Sequence, residues 1–220
     1  MSWRSHGRDN ADMVRTLRKN KLVKSASVAR AMEDVDRGFF VVASDQGTAA
    51  YRDQPQSIGS RATISAPHMH AYCLELLTDH CKPGARVLDV GSGSGYLTAV
   101  LAAMVAGEGG RAIGVEHIDK LVAWSLSNLK KDPKAAALVR EGALEIHAAD
   151  GRLGWPAEAP YDAIHVGAAA PEVPVDLTRQ LKPGGRLVIP VGEEGQSQSL
   201  VVIDKREDGT LDRRRVMGVV

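Results

Sequence analysis

The run Val87-Leu88-Asp89-Val90-Gly91-Ser92-Gly93-Ser94-Gly95 decides how the rest of this sequence is read. Its first residues read as a strand, and the strand–helix alternation around them makes it part of a mostly parallel sheet. The glycines let the backbone turn sharply and approach a ligand closely before a helix begins at Tyr96. A Walker phosphate loop is excluded, because no Gly-Lys-Ser/Thr follows. The dinucleotide fingerprint G-x-G-x-x-G also fails, since Tyr96 occupies its last glycine position. Asp-x-Gly-x-Gly-x-Gly at a strand end is what remains.

Outward from this run the pattern is regular. Lys82-Pro83-Gly84 turns into the strand Arg86 to Val90, and a helix from about Pro67 to Asp79 precedes it, with Pro67 suited to a first turn. Downstream come the helix Tyr96 to Val105, the strand Ala112 to Glu116 and a helix from Asp119 to about Lys130. Ala143 to His147 and Asp162 to Val166 read as strands. A helix from Val175 to Leu181 leads through Lys182-Pro183-Gly184-Gly185 into the strand Arg186 to Val191. Ser199–Asp204 and Leu211–Val220 read as a hairpin around Asp208-Gly209. Upstream, Asn10 or Asp12 is placed to cap a helix bearing Met13, Val14 and Leu17. Ser25 is placed to cap one bearing Val28, Met32 and Val35. From Arg37 to Thr63 no period holds, and a loop that long is usually functional or mobile. It is the first place to look for a lid.

Strand–helix alternation followed by a hairpin predicts an α/β fold: a mostly parallel sheet with an antiparallel C-terminal edge and helices on both faces. Residues 1–220 form a single domain, with 1–63 as N-terminal helices and loop and 64–220 as the ligand-binding sheet and helices.

Composition narrows the function. A 44% hydrophobic and 25% charged chain is not disordered. A net charge of +1, with no basic or acidic tail, argues against a dedicated nucleic-acid binder. Cys73 and Cys81 are too few for a disulfide framework, the first residues lack a signal-peptide core, and no run approaches a membrane span. A reducing compartment follows, cytosolic or nuclear, and monomer is the default state.

Sheets of this kind bind ligands beyond the carboxyl ends of their strands. Glu116 ends the strand after the glycine turn, about 20 residues on, where an acid accepts from ribose hydroxyls. Asp150-Gly151 follows the next strand, placed to accept from an exocyclic amine. Acidic strand ends without clustered cations suit a cationic nucleoside better than a pyrophosphate, and S-adenosyl-L-methionine is such a ligand. The glycine turn alone is also an ordinary strand–helix connection, and Glu116 alone an ordinary solvated acid; their order across consecutive units carries the reading.

Ser57-Ile58-Gly59, the run Ala62-Thr63-Ile64-Ser65-Ala66-Pro67-His68-Met69-His70-Ala71, Val87 to Leu97, Pro160 to Ala170 and Leu181 to Leu187 together resemble the protein L-isoaspartate (D-aspartate) O-methyltransferases. The likeness covers nearly the whole chain. The glycine turn and Lys-Pro-Gly-Gly are common to many methyltransferases, whereas Ile-Ser-Ala-Pro-His-Met and the alanine-rich loop are far more specific. The resemblance implies a Rossmann-like methyltransferase fold and methyl transfer from S-adenosyl-L-methionine, leaving S-adenosyl-L-homocysteine, with no metal. The acceptor it implies is the free α-carboxylate of L-isoaspartyl, and less well D-aspartyl, residues in damaged proteins. The ester then cyclises to a succinimide whose hydrolysis partly restores the aspartyl linkage. It also implies Ser65 as the active-site residue. Ala62, Thr63, Ile64, Ser65, His70, Ser94, Glu116, His117, Asp150 and Gly151 fall where the family contacts its cofactor, with Gly91 in the glycine turn. Isoaspartyl peptides and proteins are the expected partners, and the cytosol the expected location. Departures are a longer Ser44–Ala50 segment, Glu116 where Asp is also common, and an end at Val219-Val220 where the family runs on into Tyr-Val-Pro-Leu-Thr.

The chemistry is consistent with these residues. A peptide carboxylate, with an ordinary pKa of about 3.5–4, is already a nucleophile at neutral pH and needs no general base. Alignment and removal of water then carry catalysis. Ser65 can donate to that carboxylate while accepting from an amide of the Pro67 helix, whose positive end favours an anion; a plain helix cap is the other reading. Gly167-Ala168-Ala169-Ala170-Pro171 lacks the Asn/Asp-Pro-Pro-aromatic group common in amino methyltransferases, and its small side chains leave room for a peptide backbone or for tight loop packing. His68 and His70 diverge on a helix, Cys73 and Cys81 lack zinc spacing, and His165 reads as a packed core histidine. Arg18–Lys21 and Arg213–Arg215 read as solvated faces. A small-molecule or nucleic-acid methyltransferase on the same fold and a non-catalytic cofactor-binding module stand as alternatives.

Overall fold

A computed structural model describes residues 5–42, 44, 47–193 and 196–219; the expectations on residues 1–4 and 220, and part of the Ser44–Ala50 segment, lie outside the described residues. Seven strands form the main sheet: β3 (Arg86–Val90), β4 (Arg111–Glu116), β5 (Leu144–Ala148), β6 (Tyr161–Val166), β7 (Leu181–Val191), β8 (Gln198–Lys205) and β9 (Leu211–Val219). Their spatial order is β5-β4-β3-β6-β7-β8-β9, parallel from β5 to β7 and antiparallel at β8 and β9. Strand order therefore reverses between β3 and β6, and the glycine turn stands at that switch point.

Alternation along the strands sorts two cores. Val87, Ala112, Ala163, Val188 and Val202 face one side; Leu88, Ile113, Ile164, Leu187 and Ile203 face the other. The first side carries α1 (Asn10–Lys19), α2 (Ala26–Asp34), α3 (Pro67–Leu77), α4 (Tyr96–Val105), α5 (Asp119–Lys131) and α6 (Pro133–Arg140). The second carries α7 (Val175–Gln180) and two short 3-10 turns, at Gly151–Leu153 and Pro156–Glu158. Helices cover both faces, as expected, but very unequally.

Local chemistry corrects several boundaries. Asp9, not Asn10 or Asp12, caps α1, accepting from the Asp12 amide at 2.7 Å. Asn10 turns inward and donates to the Met32, Glu33 and Val35 carbonyls, tying α1 to the end of α2. Ser25 stands at the start of α2 without a side-chain cap bond; its hydroxyl donates instead to Glu75 at 2.8 Å. The sequence reading missed α6, whose signal is Asp132-Pro133: Asp132 accepts from Ala135 N at 2.7 Å and proline opens the first turn.

The stretch from Arg37 to Thr63 is not one loop. It holds 3-10 turns at Arg37–Phe40 and Gly47–Tyr51 and a hairpin of β1 (Gln56–Gly59) and β2 (Ala62–Ile64). The hairpin turns through Ser60 and Arg61, both at positive φ, where Asn-Gly or Asp-Gly is the usual pair; with Ser-Arg in those positions nothing in the sequence marks the turn. Ile58 from β1 is buried against the glycine turn: its Cδ1 lies 3.2 Å from where a Cβ on Gly93 would stand. Among the described residues no helix is long and apolar enough to cross a membrane.

Candidate active site

Two cavities open at the carboxyl ends of β3 and β6, and Gly91 lines both. Gly91 N donates to Val115 O at 2.8 Å and Gly167 N to Val90 O at 2.7 Å, so the ladder runs to the cavity floor. Gly91, Gly93 and Gly95 all take positive φ, which a side chain would resist.

The larger cavity, about 680 Å³, has apolar walls from Val90, Val115, Val166 and Leu177. His117, Asp119, Asp150, Gly151 and Arg152 stand around it, and Ala168, Ala169 and Ala170 form another wall. Its size and its few polar groups are those of a small-molecule site. Asp150 accepts from Arg152 Nε at 3.0 Å and Nη2 at 2.6 Å, and these bonds hold its carboxyl down at about 2. Glu116 is buried beside this cavity. It accepts from Gly93 N at 3.1 Å, His117 N at 2.9 Å and Ile118 N at 3.1 Å, bridging the glycine turn to the start of α5. His117 Nδ1 also stands 3.1 Å from Oε1, which is thus fully engaged, whereas Oε2 accepts from Gly93 N alone and has a position left for a ligand hydroxyl.

The smaller cavity, about 40 Å³, is lined by Thr63, Ile64, Ser65, His70, Ser92, Ser94, Tyr96, Asp89 and His165 among others. Ser65 lies between β2 and α3, half-buried, and among the described residues its hydroxyl makes no hydrogen bond. The helix-cap reading of Ser65 is therefore incorrect. Asp53 occupies that helix end instead, accepting from His68 N at 3.0 Å and His68 Nδ1 at 2.7 Å. Ser92 Oγ and Tyr96 Oη are buried with no hydrogen-bond partner. A native buried hydroxyl is rarely left so, and both belong to residues lining this cavity.

His165 is more than a packed core histidine. Its Nδ1 lies 2.8 Å from Asp89 Oδ1, while Thr98 donates to Asp89 Oδ2 at 2.6 Å. Burial opposes charge on His165, but the hydrogen bonds with Asp89 and Cys73 outweigh it and raise its pKa to about 10. His70 moves the other way: burial, then the charges of Arg37, His165 and His68, push it well below its ordinary value.

Of the residues singled out from sequence, Thr63, Ile64, Ser65, His70, Gly91 and Ser94 gather around the small cavity, and Gly91, His117, Asp150 and Gly151 around the large one. Glu116 joins them through Gly93; Ala62 lines neither. Sequence reasoning missed Ser92, Tyr96, Arg152, His165 and, behind the small cavity, Arg37. Asp89, an acid flanked by Leu88 and Val90 inside β3, signalled a buried partner, and His165 stands in register with it on β6.

The family model for protein-L-isoaspartate(D-aspartate) O-methyltransferase matches residues 8–220. Protein-L-isoaspartate O-methyltransferase 1 of Arabidopsis thaliana is 58% identical over 92% of this chain and 85% of its own length. The Caenorhabditis elegans enzyme is 44% identical, covering 100% of this chain and 94% of its own. A Plasmodium falciparum chain, assigned to the same activity and solved in complex with S-adenosyl-L-homocysteine, superposes with a TM-score of 0.85 at 34% identity and 96% coverage of both chains. With the fold, the glycine turn and the Ser65 cavity in place, this chain belongs to the protein-L-isoaspartate(D-aspartate) O-methyltransferase family.

Proposed function

We propose that the protein transfers a methyl group from S-adenosyl-L-methionine to the free α-carboxylate of L-isoaspartyl residues, and less efficiently of D-aspartyl residues, in damaged proteins of the cytosol. The observation that carries this reading is the shared floor at Gly91: a nucleoside-sized cleft on one side, and on the other a small polar cavity with an unbonded Ser65 hydroxyl.

The residues present fit the cofactor. Glu116 has acceptor capacity for a ribose hydroxyl, Asp150 and Gly151 stand on the cleft wall, and the orphaned Ser92 and Tyr96 hydroxyls would be available to the polar end of the ligand. When bound, S-adenosyl-L-methionine supplies an electrophilic methyl on a cationic sulfur. Ser65 then orients the acceptor: its free hydroxyl donates to one carboxylate oxygen and leaves the other as nucleophile. No base is required, because the acceptor is already ionised. Ile58 of the β1–β2 hairpin packs on the glycine turn, and a hairpin in that position would serve to shield a bound acceptor from water. The exposed Ala168–Ala169 wall leaves room for a peptide main chain. Cys73 and Cys81, both free and buried, accord with a reducing compartment.

Labelled methyl incorporation tests the reading. An isoaspartyl peptide should accept base-labile methyl groups, its aspartyl twin and RNA should not, and Ser65→Ala should lower kcat about 10- to 100-fold with little change in cofactor affinity. Label on nitrogen, or equal labelling of the two peptides, would refute the assignment.

A further inference from the structure

We propose that Arg37 is a positioning residue for the site's carboxylate-binding half: it fixes His70 as the tautomer that keeps Nε2–H for a ligand, and it supplies the buried positive charge that a bound carboxylate balances. This rests on the function proposed above, but it concerns a residue that lines neither cavity.

Arg37 is fully buried at the start of the 3-10 turn Arg37–Phe40. Its Nε donates to Ala50 O at 3.0 Å and its Nη2 to Ser65 O at 2.9 Å and Gln56 Oε1 at 3.5 Å. Its Nη1 stands 3.4 Å from His70 Nδ1, and the guanidinium lies over the Tyr96 ring, 5.5 Å from its centroid. Every hydrogen-bond acceptor in this set is neutral; among the described residues no carboxylate bonds the guanidinium. Burial presses its pKa down to about 10, which leaves it charged at neutral pH.

A guanidinium has donors only. The contact with His70 therefore runs one way: Nδ1 accepts, so the ring proton resides on Nε2. Among the described residues Nε2–H meets no protein acceptor, and His70 lines the small cavity. The groups facing His70 are Arg37, Tyr96 from α4 with ring centroids 5.2 Å apart, His165 from β6, and His68 on its own helix. Both nearby carboxylates are engaged: Asp53 with His68 and the Ser5 amide, Asp89 with His165 and Thr98. A buried cation without a bonded counter-ion is costly, and an arriving anion removes part of that cost. Two carboxylates take part in the reaction: that of the cofactor's amino-acid end and that of the peptide.

Nitrogen-15 NMR of the histidines and two Arg37 variants test this. In the wild-type protein His70 should remain the neutral Nε2–H tautomer from pH 6 to 8. In Arg37→Gln, S-adenosyl-L-homocysteine should bind about tenfold more weakly, about 1.4 kcal/mol. Methylthioadenosine, which has the same nucleoside and sulfur but no carboxylate, should change less than about twofold. Arg37→Lys, which keeps the charge, should recover part of the loss. If the balanced anion is the peptide's, the peptide KM should rise at saturating cofactor while the ratio of the two nucleoside affinities stays fixed. An Nδ1–H tautomer, titration of His70 near its ordinary value, or equal weakening of both nucleosides with an unchanged KM would overturn the proposal. Should Arg37→Gln fail to fold, the wild-type tautomer and Arg37→Lys decide. The wild-type tautomer with selective loss of S-adenosyl-L-homocysteine, but no isoaspartyl methylation, would leave Arg37 in this role and reject the proposed function instead.

Discussion

Tyr96 begins α4 with its ring between Phe40 and His70 and its hydroxyl unbonded. Such a hydroxyl is a liability until something polar reaches it. Tyr96→Phe should leave the ligand-free protein as stable, or more stable by about 1 kcal/mol, while weakening S-adenosyl-L-homocysteine about tenfold. Thermal melts and calorimetric titration of the same variant read both effects. His165 gives a pH-dependent prediction. Its folded pKa, about 10, lies above its ordinary value of about 6.5, so its pairing with Asp89 stabilises fully below about 6.5. That contribution disappears as pH climbs through the folded value. The difference in urea stability between wild type and His165→Gln should shrink between pH 6.5 and 10. A constant difference would mean that His165 carries no extra proton in the fold. Residue by residue, the sequence was most readable where one side chain does one job. The glycines of the turn and Ser65 carry their chemistry openly. Arg37 and His165 did not, because the partners that bring each into the site are remote, Ser65 at 28 positions from Arg37 and Asp89 at 76 from His165, and no local pattern joins them.

Elements with strong periodicity or clear punctuation were legible almost to their ends. The helix read as Tyr96 to Val105 has those bounds, and β3 runs from Arg86 to Val90 as expected. The failures share a cause. The hairpin at residues 56–64 has strands of four and three residues, too short to establish an alternation, and a turn without its usual Gly. Helix α6 follows α5 at a single aspartate, so the two patterns merge. Asp132 caps α6 and also accepts from Asp36 N at 2.9 Å, next to Arg37. Asp132→Ala should cost about 1–2 kcal/mol of stability in denaturant titration and also weaken S-adenosyl-L-homocysteine. Loss of stability with wild-type affinity would show that the cap and the site are independent.

At the scale of the molecule, helices crowd one face of the sheet and leave the other to α7 and two short turns, and the larger cavity opens toward the sparse side. The parallel sheet was readable from strand–helix alternation and the terminal hairpin from its Asp208-Gly209 turn; the imbalance was not, because periodicity does not say on which face a helix lands. A ligand spanning both cavities touches elements from Thr63 to Leu177 and should act on the whole fold. S-adenosyl-L-homocysteine at 100 times its Kd should add about 2.7 kcal/mol to unfolding stability and slow cleavage within residues 37–63. Equal cleavage rates with and without it would tell against closure of that segment.

Asp53 has a reach that matters to anyone handling the protein. It caps the helix behind Ser65, its side chain accepts from Ser5 N at 3.2 Å, and its own amide donates to His6 Nδ1 at 2.9 Å. Gly7 N extends the seam to Tyr51 O at 3.0 Å. An affinity tag or linker joined just ahead of Ser5 would pull on a seam that ends at the acceptor pocket. Turnover of such a fusion should fall below that of a matched tag-free preparation, and equal turnover would show that tension on the seam does not reach the pocket.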